Sequence, residues 1–350
     1  MRGHGGFDQL EYRTDVPVPT LAAGELLIRI GAAAINNTDI NTRIGWYSKS
    51  VGGGAESTGH QAVASAEDAA WTGQQIEFPR IQGADACGRI VAVGVSVDPA
   101  RIGERVLIDP LLPPTTANQF GYFGSERDGA FADFAAVPAA NAFKITSELS
   151  DVELASFPCS YSAAENMLTR ADLSAGESIL ITGASGGVGS AAVQLAKRRG
   201  ARVIAITSLS KAGAIRSLGA SKVLERNANF AAELGREAVD VVVDVVGGPQ
   251  FPCLLEVLRR GGRYAVAGAI GGPVVDLDLR TLYLKDLRML GCTVLDPEVF
   301  GNLVRYIERG EIRPLVSATY RLSEIVAAQA EFLQKRHFGK IVLDCSSSTQ

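Results

Sequence analysis

Ser178-Ile179-Leu180-Ile181-Thr182-Gly183-Ala184-Ser185-Gly186-Gly187-Val188-Gly189-Ser190-Ala191-Ala192-Val193 is the stretch on which the fold of this chain turns. It opens as a short apolar run, passes through glycines, and continues from Ser190 to Arg199 with apolar residues at helical spacing. A strand that runs through such a turn into a helix leaves unpaired amides at the helix start, where the peptide dipoles favour negative charge. A phosphate suits that position. The turn has the form A-x-G-x-x-G, with Ala184 where a first glycine is more usual. Gly186 lets the backbone approach a pyrophosphate, and Gly189 lets the helix lie close to the strand. Ser185, Gly186, Gly187, Val188 and Gly189 are therefore candidate cofactor contacts. A ligand-free strand-to-helix turn would use the same glycines, but the strand–turn–helix–strand order favours a dinucleotide.

The next apolar run, Arg202–Thr207, ends in Thr207-Ser208-Leu209-Ser210-Lys211. A site for NAD usually has Asp or Glu here to accept from the ribose 2′-hydroxyl. No carboxylate lies nearby, whereas a hydroxyl and a lysine suit a 2′-phosphate. NADP(H) is the expected cofactor, with Ser208 and Lys211 as contacts. A helix N-cap at Ser208 or Ser210 with a solvated lysine is the alternative reading. A helix around Lys211 to Leu218 is expected to end at Gly219. Val239–Asp244 and Arg263–Ala267 are continuous apolar runs, the pattern of strands buried on both faces of a parallel sheet. Residues 151–290 are thus expected to form an α/β domain with a doubly wound parallel sheet.

On either side the pattern changes. Residues 1–150 carry short β-type runs bounded by Gly, Pro or Asp, among them Glu25–Ile30, Gly88–Val93 and Glu104–Ile108. Ser48 to Gln75 has neither period and reads as a surface loop or flap. Residues 291–350 carry a helix from Pro297 to Arg309, a run Leu315–Tyr320, a helix from Leu322 to Lys335 and a last strand Lys340–Leu343.

Composition narrows the function classes. A chain of 350 residues exceeds what one core usually supports, so two domains are expected. With 34 basic against 38 acidic side chains, no broad basic surface for nucleic acid or anionic membrane is available. No apolar run reaches the roughly 18 residues of a membrane span, and the first residues lack the apolar core of a signal peptide. Five scattered cysteines read as reduced thiols in a cytoplasmic protein.

Several further motifs then fall in order along nearly the whole chain: Asn36-Asn37-Thr38-Asp39, the stretch Pro79 to Gly94, Gly129-Ala130-Phe131-Ala132-Asp133-Phe134, Leu218-Gly219-Ala220 and Gly339-Lys340-Ile341-Val342-Leu343. With the glycine turn, they make the chain similar to the medium-chain dehydrogenase/reductase superfamily, in its quinone-oxidoreductase and enoyl-reductase-like branch. The resemblance implies a GroES-like β-rich catalytic domain split around a Rossmann domain, with the active site in the cleft between them. Family members usually open with a further strand, whereas this chain enters directly at Gly3-His4-Gly5-Gly6, so a late start is expected.

Zinc-dependent members of the family place ligands where this chain has Asn36, Ala84 and Cys159. One donor of three does not hold a catalytic zinc. No C-x2-C-x2-C is present for a structural zinc, and His60 sits in the Ser48–Gln75 loop. No metal site is expected, and Cys159 reads as a small buried residue. Without a Lewis acid, alcohol oxidation loses its usual alkoxide stabiliser. Reduction of a carbonyl-conjugated double bond needs less: a hydride at the β-carbon, donors for the enolate oxygen and a proton at the α-carbon.

The run Asp39 to Tyr47 resembles enoyl-thioester reductases and quinone oxidoreductases, which implies Tyr47 as proton donor or orienting hydroxyl and Asn36 as a polar cleft residue. Asp39 is expected to orient the loop, and packing of Trp46 and Tyr47 is the alternative role. The family pattern also implies Ser162 beside the nicotinamide, Gly247 and Gly268 at the carboxyl edge of the sheet, and Lys340 at a cofactor phosphate. The expected activity is NADPH-dependent reduction of quinones or activated alkenes. A zinc-type alcohol dehydrogenase and a non-catalytic NADPH-binding protein are the alternatives. The expected partners are a small-molecule substrate and a second copy, paired through Arg288 to Val294.

Overall fold

The computed structural model describes residues 1–54, 67–114 and 120–346. The chain divides into two compact units, one of Met1–Val51, Ser57–Cys159 and Phe300–Gln350, the other of Gly52–Glu56 and Ser160–Val299. These limits fall somewhat beyond the 150/151 and 290/291 boundaries expected from sequence. The strands of the first unit are β1 (Glu25–Ala34), β2 (Cys87–Val93), β3 (Arg105–Ile108), β4 (Leu111–Leu112), β5 (Gly121–Tyr122), β6 (Phe134–Pro138) and β7 (Ala142–Lys144). The second unit contributes β8 (Ser178–Ile181), β9 (Arg202–Ile206), β10 (Lys222–Leu224), β11 (Val239–Asp244), β12 (Leu258–Val266) and β13 (Arg288–Gly291). The chain then returns to the first unit with β14 (Val316–Arg321) and β15 (Lys340–Asp344).

In the first unit the strands run in the order β14-β15-β1-β2-β3-β7, and β6 also pairs with β1. Alternation along β1 sends Leu26, Ile28 and Ile30 into a core shared with Val106, Ile108, Phe123, Ile341 and Leu343. The sequence reading ends this strand at Ile30, because Gly31-Ala32-Ala33-Ala34 lacks the branched side chains that mark strands. Pairing with β15 carries it on to Ala34, with Ala33 opposite Leu343. β14 and β15 are parallel, so the helix Ile325–Leu333 serves as their crossover.

The second unit has the strand order β10-β9-β8-β11-β12-β13, with every pairing parallel. This is the doubly wound arrangement expected from sequence, and the order reverses between β8 and β11. Leu180, Ile204, Val242, Phe251 and Tyr264 belong to its core. β12 starts at Leu258 rather than at the expected Arg263, since Gly261-Gly262 masks its beginning in the sequence pattern. The glycine-turn helix occupies Gly187–Arg198 and the following one Ala212–Leu218, capped by Gly219. No helix of the described residues is long and apolar enough to cross a membrane.

Candidate cofactor and catalytic site

In the second unit, β8 delivers the chain to Gly183, whose φ of 56° lies in the left-handed region. Gly186 precedes the helix Gly187–Arg198 in extended conformation and provides no side-chain cap. The first amides of that helix therefore point out of the turn without intrahelical acceptors. The two glycines of the turn differ in what a side chain would meet. A Cβ on Gly189 would lie 2.3 Å from the Gly183 carbonyl oxygen, so this glycine is required for the helix to sit on the turn. A Cβ on Gly186 would meet only that same oxygen, at 3.5 Å. Nothing inside the protein demands Gly186, and the space it leaves open suits a pyrophosphate. Ser185, just before Gly186, is buried.

The carboxyl edge beside this turn is held by Asp244, which the sequence reading did not single out. Its fully buried carboxylate accepts from Thr182 Oγ1 at 2.5 Å, the Tyr264 hydroxyl at 2.5 Å, and the amides of Val246 at 2.8 Å and Gly247 at 3.2 Å. An acidic residue closing the apolar run Val239–Val243 was the available signal. Gly247 has φ 63°, and its Cβ would lie 2.8 Å from the Gly272 carbonyl oxygen. A Cβ on Gly268 would lie 3.1 Å from the Val245 carbonyl oxygen. Both glycines stand where their strands end, as expected.

At the end of β9, Thr207 is buried, and its Oγ1 has no hydrogen-bond partner among the described residues. An unpaired buried hydroxyl is costly, and a ligand oxygen would satisfy it. Ser208 and Ser210 place their hydroxyls 3.1 Å apart, and Ser208 makes no capping bond to the 3-10 turn Leu209–Lys211. The capping alternative raised by the sequence is thus not realised at Ser208. Burial lowers the pKa of Lys211, and the nearby charge of Arg226 lowers it further. Arg226, just past β10, is a second cation that sequence spacing did not bring to notice. Thr207, Ser208, Ser210, Lys211 and Arg226 make a donor set that fits a 2′-phosphate. Ser162 is buried in the helix Pro158–Arg170.

In the first unit, the helix Asn37–Ile44 is started by Asp39, which accepts from the Asn36 amide at 2.7 Å and from the Gly83 amide at 3.2 Å. These two bonds tie the start of the helix to the Gly83 segment. Burial pushes its carboxyl up to about 7, against the hydrogen bond from Asn36. Gly45, with φ 70°, ends the helix and turns the chain into Trp46 and Tyr47. The Tyr47 hydroxyl donates to Thr38 Oγ1 at 2.9 Å, and burial raises its pKa, so the phenol stays protonated.

Asn36, Asp85, Cys159 and Lys340 come together around one carboxylate. Asp85 accepts from Lys340 Nζ at 2.7 Å, Asn36 Nδ2 at 2.8 Å and the Cys159 amide at 2.6 Å. Lys340 Nζ also donates to Asn36 Oδ1. Asp85 is fully buried and Lys340 is 2% exposed. The expectation that Lys340 meets a cofactor phosphate is therefore replaced by a buried ion pair inside the first unit, because its ammonium is committed to Asp85 and Asn36. Asn36 is likewise engaged through both ends of its amide. The Cys159 thiol lies 3.2 Å from the Tyr122 hydroxyl, and burial, reinforced by Asp85, pushes it up to about 12.

This donor set does not fit a catalytic zinc. Ala84 has no donor atom, Asn36 is consumed and Lys340 already neutralises Asp85, which leaves Cys159 as a single donor of the three positions. Among the described residues no group of three or more His, Cys, Asp or Glu is placed to hold a metal ion. His60 lies outside the described residues.

Known proteins agree with this architecture. The family model described as Alcohol dehydrogenase GroES-like domain matches residues 22–147, and that described as Zinc-binding dehydrogenase matches residues 187–309. The chain is 29% identical to an acryloyl-coenzyme A reductase of Metallosphaera sedula, over 94% of this chain and 95% of that one. A solved alcohol dehydrogenase-like protein of Sinorhizobium meliloti 1021 is 46% identical, with a TM-score of 0.88 over 98% of this chain and 94% of that one. A 2-octenoyl-CoA carboxylase reductase of a Streptomyces species, solved in complex with NADP and 2-octenoyl-CoA, is 26% identical, with a TM-score of 0.80 over 96% of this chain and 82% of that one. The chain belongs to the medium-chain dehydrogenase/reductase superfamily and is an oxidoreductase of that superfamily.

Proposed function

We propose that the protein is an NADPH-dependent reductase of quinones or carbonyl-conjugated alkenes that works without a metal ion. The observation that carries this reading is the cluster in the first unit. Lys340 neutralises Asp85 where a metal's charge would otherwise stand, and the neighbouring titratable groups, Tyr47, Cys159 and Tyr122, are all held in their protonated forms. Such a site holds phenol and thiol protons beside a carboxylate paired with lysine, which suits the protonation of an enolate rather than the oxidation of an alcohol. Two relatives carry the names of enoyl-CoA substrates, and one was solved with NADP.

When bound, the cofactor supplies a hydride. The amides of Gly187 to Gly189 hold its pyrophosphate, with Gly186 giving the room. Thr207, Ser208, Lys211 and Arg226 would hold the 2′-phosphate, and Asp244 fixes the Gly247 amide where its strand ends. Ser162 and Gly268 border the nicotinamide half. Tyr47 delivers a proton from its hydroxyl, recovered through Thr38, and Asn36 fixes the Lys340–Asp85 pair. A zinc-type alcohol dehydrogenase is disfavoured by the chemistry of the donors at Asn36, Ala84 and Cys159. A homodimer is favoured by the second unit, where β13 is an edge strand and Val274, Leu279, Tyr283, Leu284 and Met289 expose apolar surface around it. A cytoplasmic setting agrees with five cysteines that form no disulfide.

The test is a panel of quinones, enones and enoyl thioesters assayed by NADPH oxidation, with zinc measured on the purified protein. Turnover with stoichiometric zinc, or no turnover with any of the panel, would overturn the proposal. Tyr47→Phe is expected to slow turnover by roughly 10²-fold, the size of a lost general acid, with NADPH affinity within a few-fold. Unchanged turnover removes Tyr47 from that role.

A further inference from the structure

Asp244 carries a negative charge with no cation beside it. Among the described residues the buried acids are Asp39, Asp85, Glu165 and Asp244. Asp85 is paired with Lys340 and Glu165 with Arg199, and burial raises the Asp39 carboxyl to about 7. Asp244 is fully buried at the end of β11, and its partners among the described residues are neutral donors. They are the Thr182 and Tyr264 hydroxyls and the amides of Val246 and Gly247, the last reaching both oxygens at 3.2 Å. Thr182 Oγ1 itself accepts from the Val245 amide at 3.1 Å, which turns its proton toward Asp244. The Tyr264 ring meets Phe251 edge-on, centroids 5.2 Å apart, and burial together with the charge of Asp244 keeps the phenol protonated. A set made only of donors is what an ionised carboxylate accepts. Such bonds solvate the charge without cancelling it, and a buried charge left without a partner of opposite sign is costly.

Sheet order decides which part of a dinucleotide comes to this edge. Ligands of a doubly wound sheet lie outside the carboxyl ends of its strands where the order reverses, here between β8 and β11. The donors suited to a 2′-phosphate stand past the ends of β9 and β10, and the turn suited to a pyrophosphate follows β8. A dinucleotide laid along β9 and then β8 has β11 and β12 left for its other half. Asp244 closes β11 and fastens the chain beyond it through Val246 and Gly247. The Gly271 amide then donates to the Val246 carbonyl at 2.7 Å, which ties in the loop after β12. A nicotinamide dinucleotide brings one positive charge to that half, on the ring of its oxidised form. The reduced ring is neutral.

We infer that Asp244 is the counter-charge of the oxidised nicotinamide, a buried anion that strengthens the hold of the second unit on NADP+ relative to NADPH and so favours departure of the hydride. The inference rests on the cofactor reading above. When the hydride leaves, a C–H bond of the ring breaks with its electron pair, and that pair forms the new bond on the substrate. The ring side gains one positive charge and the substrate side one negative charge. Asp244 gains and loses no proton. Its field lowers the energy of the state in which the ring is positive, without contact or rearrangement. The same field acts on the pyrophosphate in both redox forms and cancels from the ratio of their affinities.

The experiment measures the Kd of NADPH by fluorescence and the Kd of NADP+ by calorimetry, on the full-length wild type and on Asp244→Asn, Asp244→Ser, Tyr264→Phe and Thr182→Val. In Asp244→Asn the ratio of the NADP+ Kd to the NADPH Kd is expected to rise on the order of tenfold, the scale of one charge lost from a protein interior. A disturbance of the Gly247 turn alone weakens both forms alike and leaves the ratio where it was. Asp244→Ser, with room for a water in the vacated space, gives the same reading where the asparagine variant does not fold. Tyr264→Phe and Thr182→Val each remove one hydrogen bond and keep the charge. Their ratios are expected to stay within about twofold of the wild type even where the Tm falls. A ratio unchanged in the charge-free variants overturns the role of Asp244 and leaves the cofactor reading standing. A ratio that moves as far in Tyr264→Phe as in Asp244→Asn also overturns it, because geometry and not charge would then set the preference. A wild type that binds neither NADPH nor NADP+ overturns both.

Discussion

Asp39→Asn isolates a buried carboxyl whose ionisation works against the fold. Burial holds Asp39 at about 7 against an ordinary 3.8. A carboxyl raised in the folded state is protonated more readily there than in the unfolded chain. Its contribution is therefore fully present below 3.8 and lost as the pH rises through 7. Between pH 5 and pH 7 the folded protein binds close to one extra proton, at about 1.4 kcal/mol per pH unit. The wild type should thus gain about 2–3 kcal/mol through Asp39 on going from pH 8 to pH 5. Asparagine cannot titrate and forgoes that gain, whatever fixed cost its amide incurs facing the Asn36 and Gly83 amides. Asp109, also pushed up to about 7 by burial, is present in both proteins and cancels. The assay is urea unfolding at pH 5 and pH 8, read by tryptophan fluorescence. Trp46 and Trp71, the only two tryptophans, both lie in the first unit, so the signal reports the unit that contains Asp39. The stability gap between wild type and variant is expected to widen at pH 5 by the amount above. Parallel pH dependences would refute the reasoning, because Asp39 would then be ionised in the fold at both pH values.

Lys340→Met leaves Asp85 buried without its cation and should cost about 3–5 kcal/mol in urea unfolding, much of it recovered when Asp85→Leu is added. Gly189→Ala forces a Cβ to 2.3 Å from a carbonyl oxygen and should abolish NADPH binding and lower the Tm, whereas Gly186→Ala should keep the Tm and lose affinity. Fluorescence titration with NADPH alongside thermal melts separates the two. Lys211→Ala and Arg226→Ala should each weaken NADPH more than NADH, and equal weakening of both cofactors would exclude them from the 2′-phosphate.

What the sequence made legible was local. The turn Gly183–Gly189, its strand and its helix are consecutive, so spacing alone indicated their relation, whereas Gly247 and Gly268 were implied by the family resemblance. That the second unit is a parallel sheet followed from alternation of strand and helix. What it did not show depends on distant residues meeting. Lys340 reaches Asn36 across 304 positions, and a lysine before a strand looks the same whether it faces a phosphate or a buried aspartate. Tyr122 pairs with a thiol 37 positions away from a two-residue strand too short to carry any period. Asp244 gathers its donors from two neighbouring strands and the loop that follows its own. Arg226 meets Lys211 only because β9 and β10 are adjacent. Ala32 to Ala34 escaped because small side chains join a strand only when a partner strand arrives.

That arriving partner sets an order of events during synthesis. β1 leaves the ribosome well before its neighbour β15, which follows only after the whole of the second unit, and Ala33 has no partner in that register until Leu343 emerges. The parallel sheet of the second unit is built from one continuous stretch and can close while translation is still under way. Nascent chains stalled before β15 should therefore carry a protease-resistant nucleotide-binding unit beside a β-rich unit that is still digestible, with its central strand exposed to whatever edge it meets first.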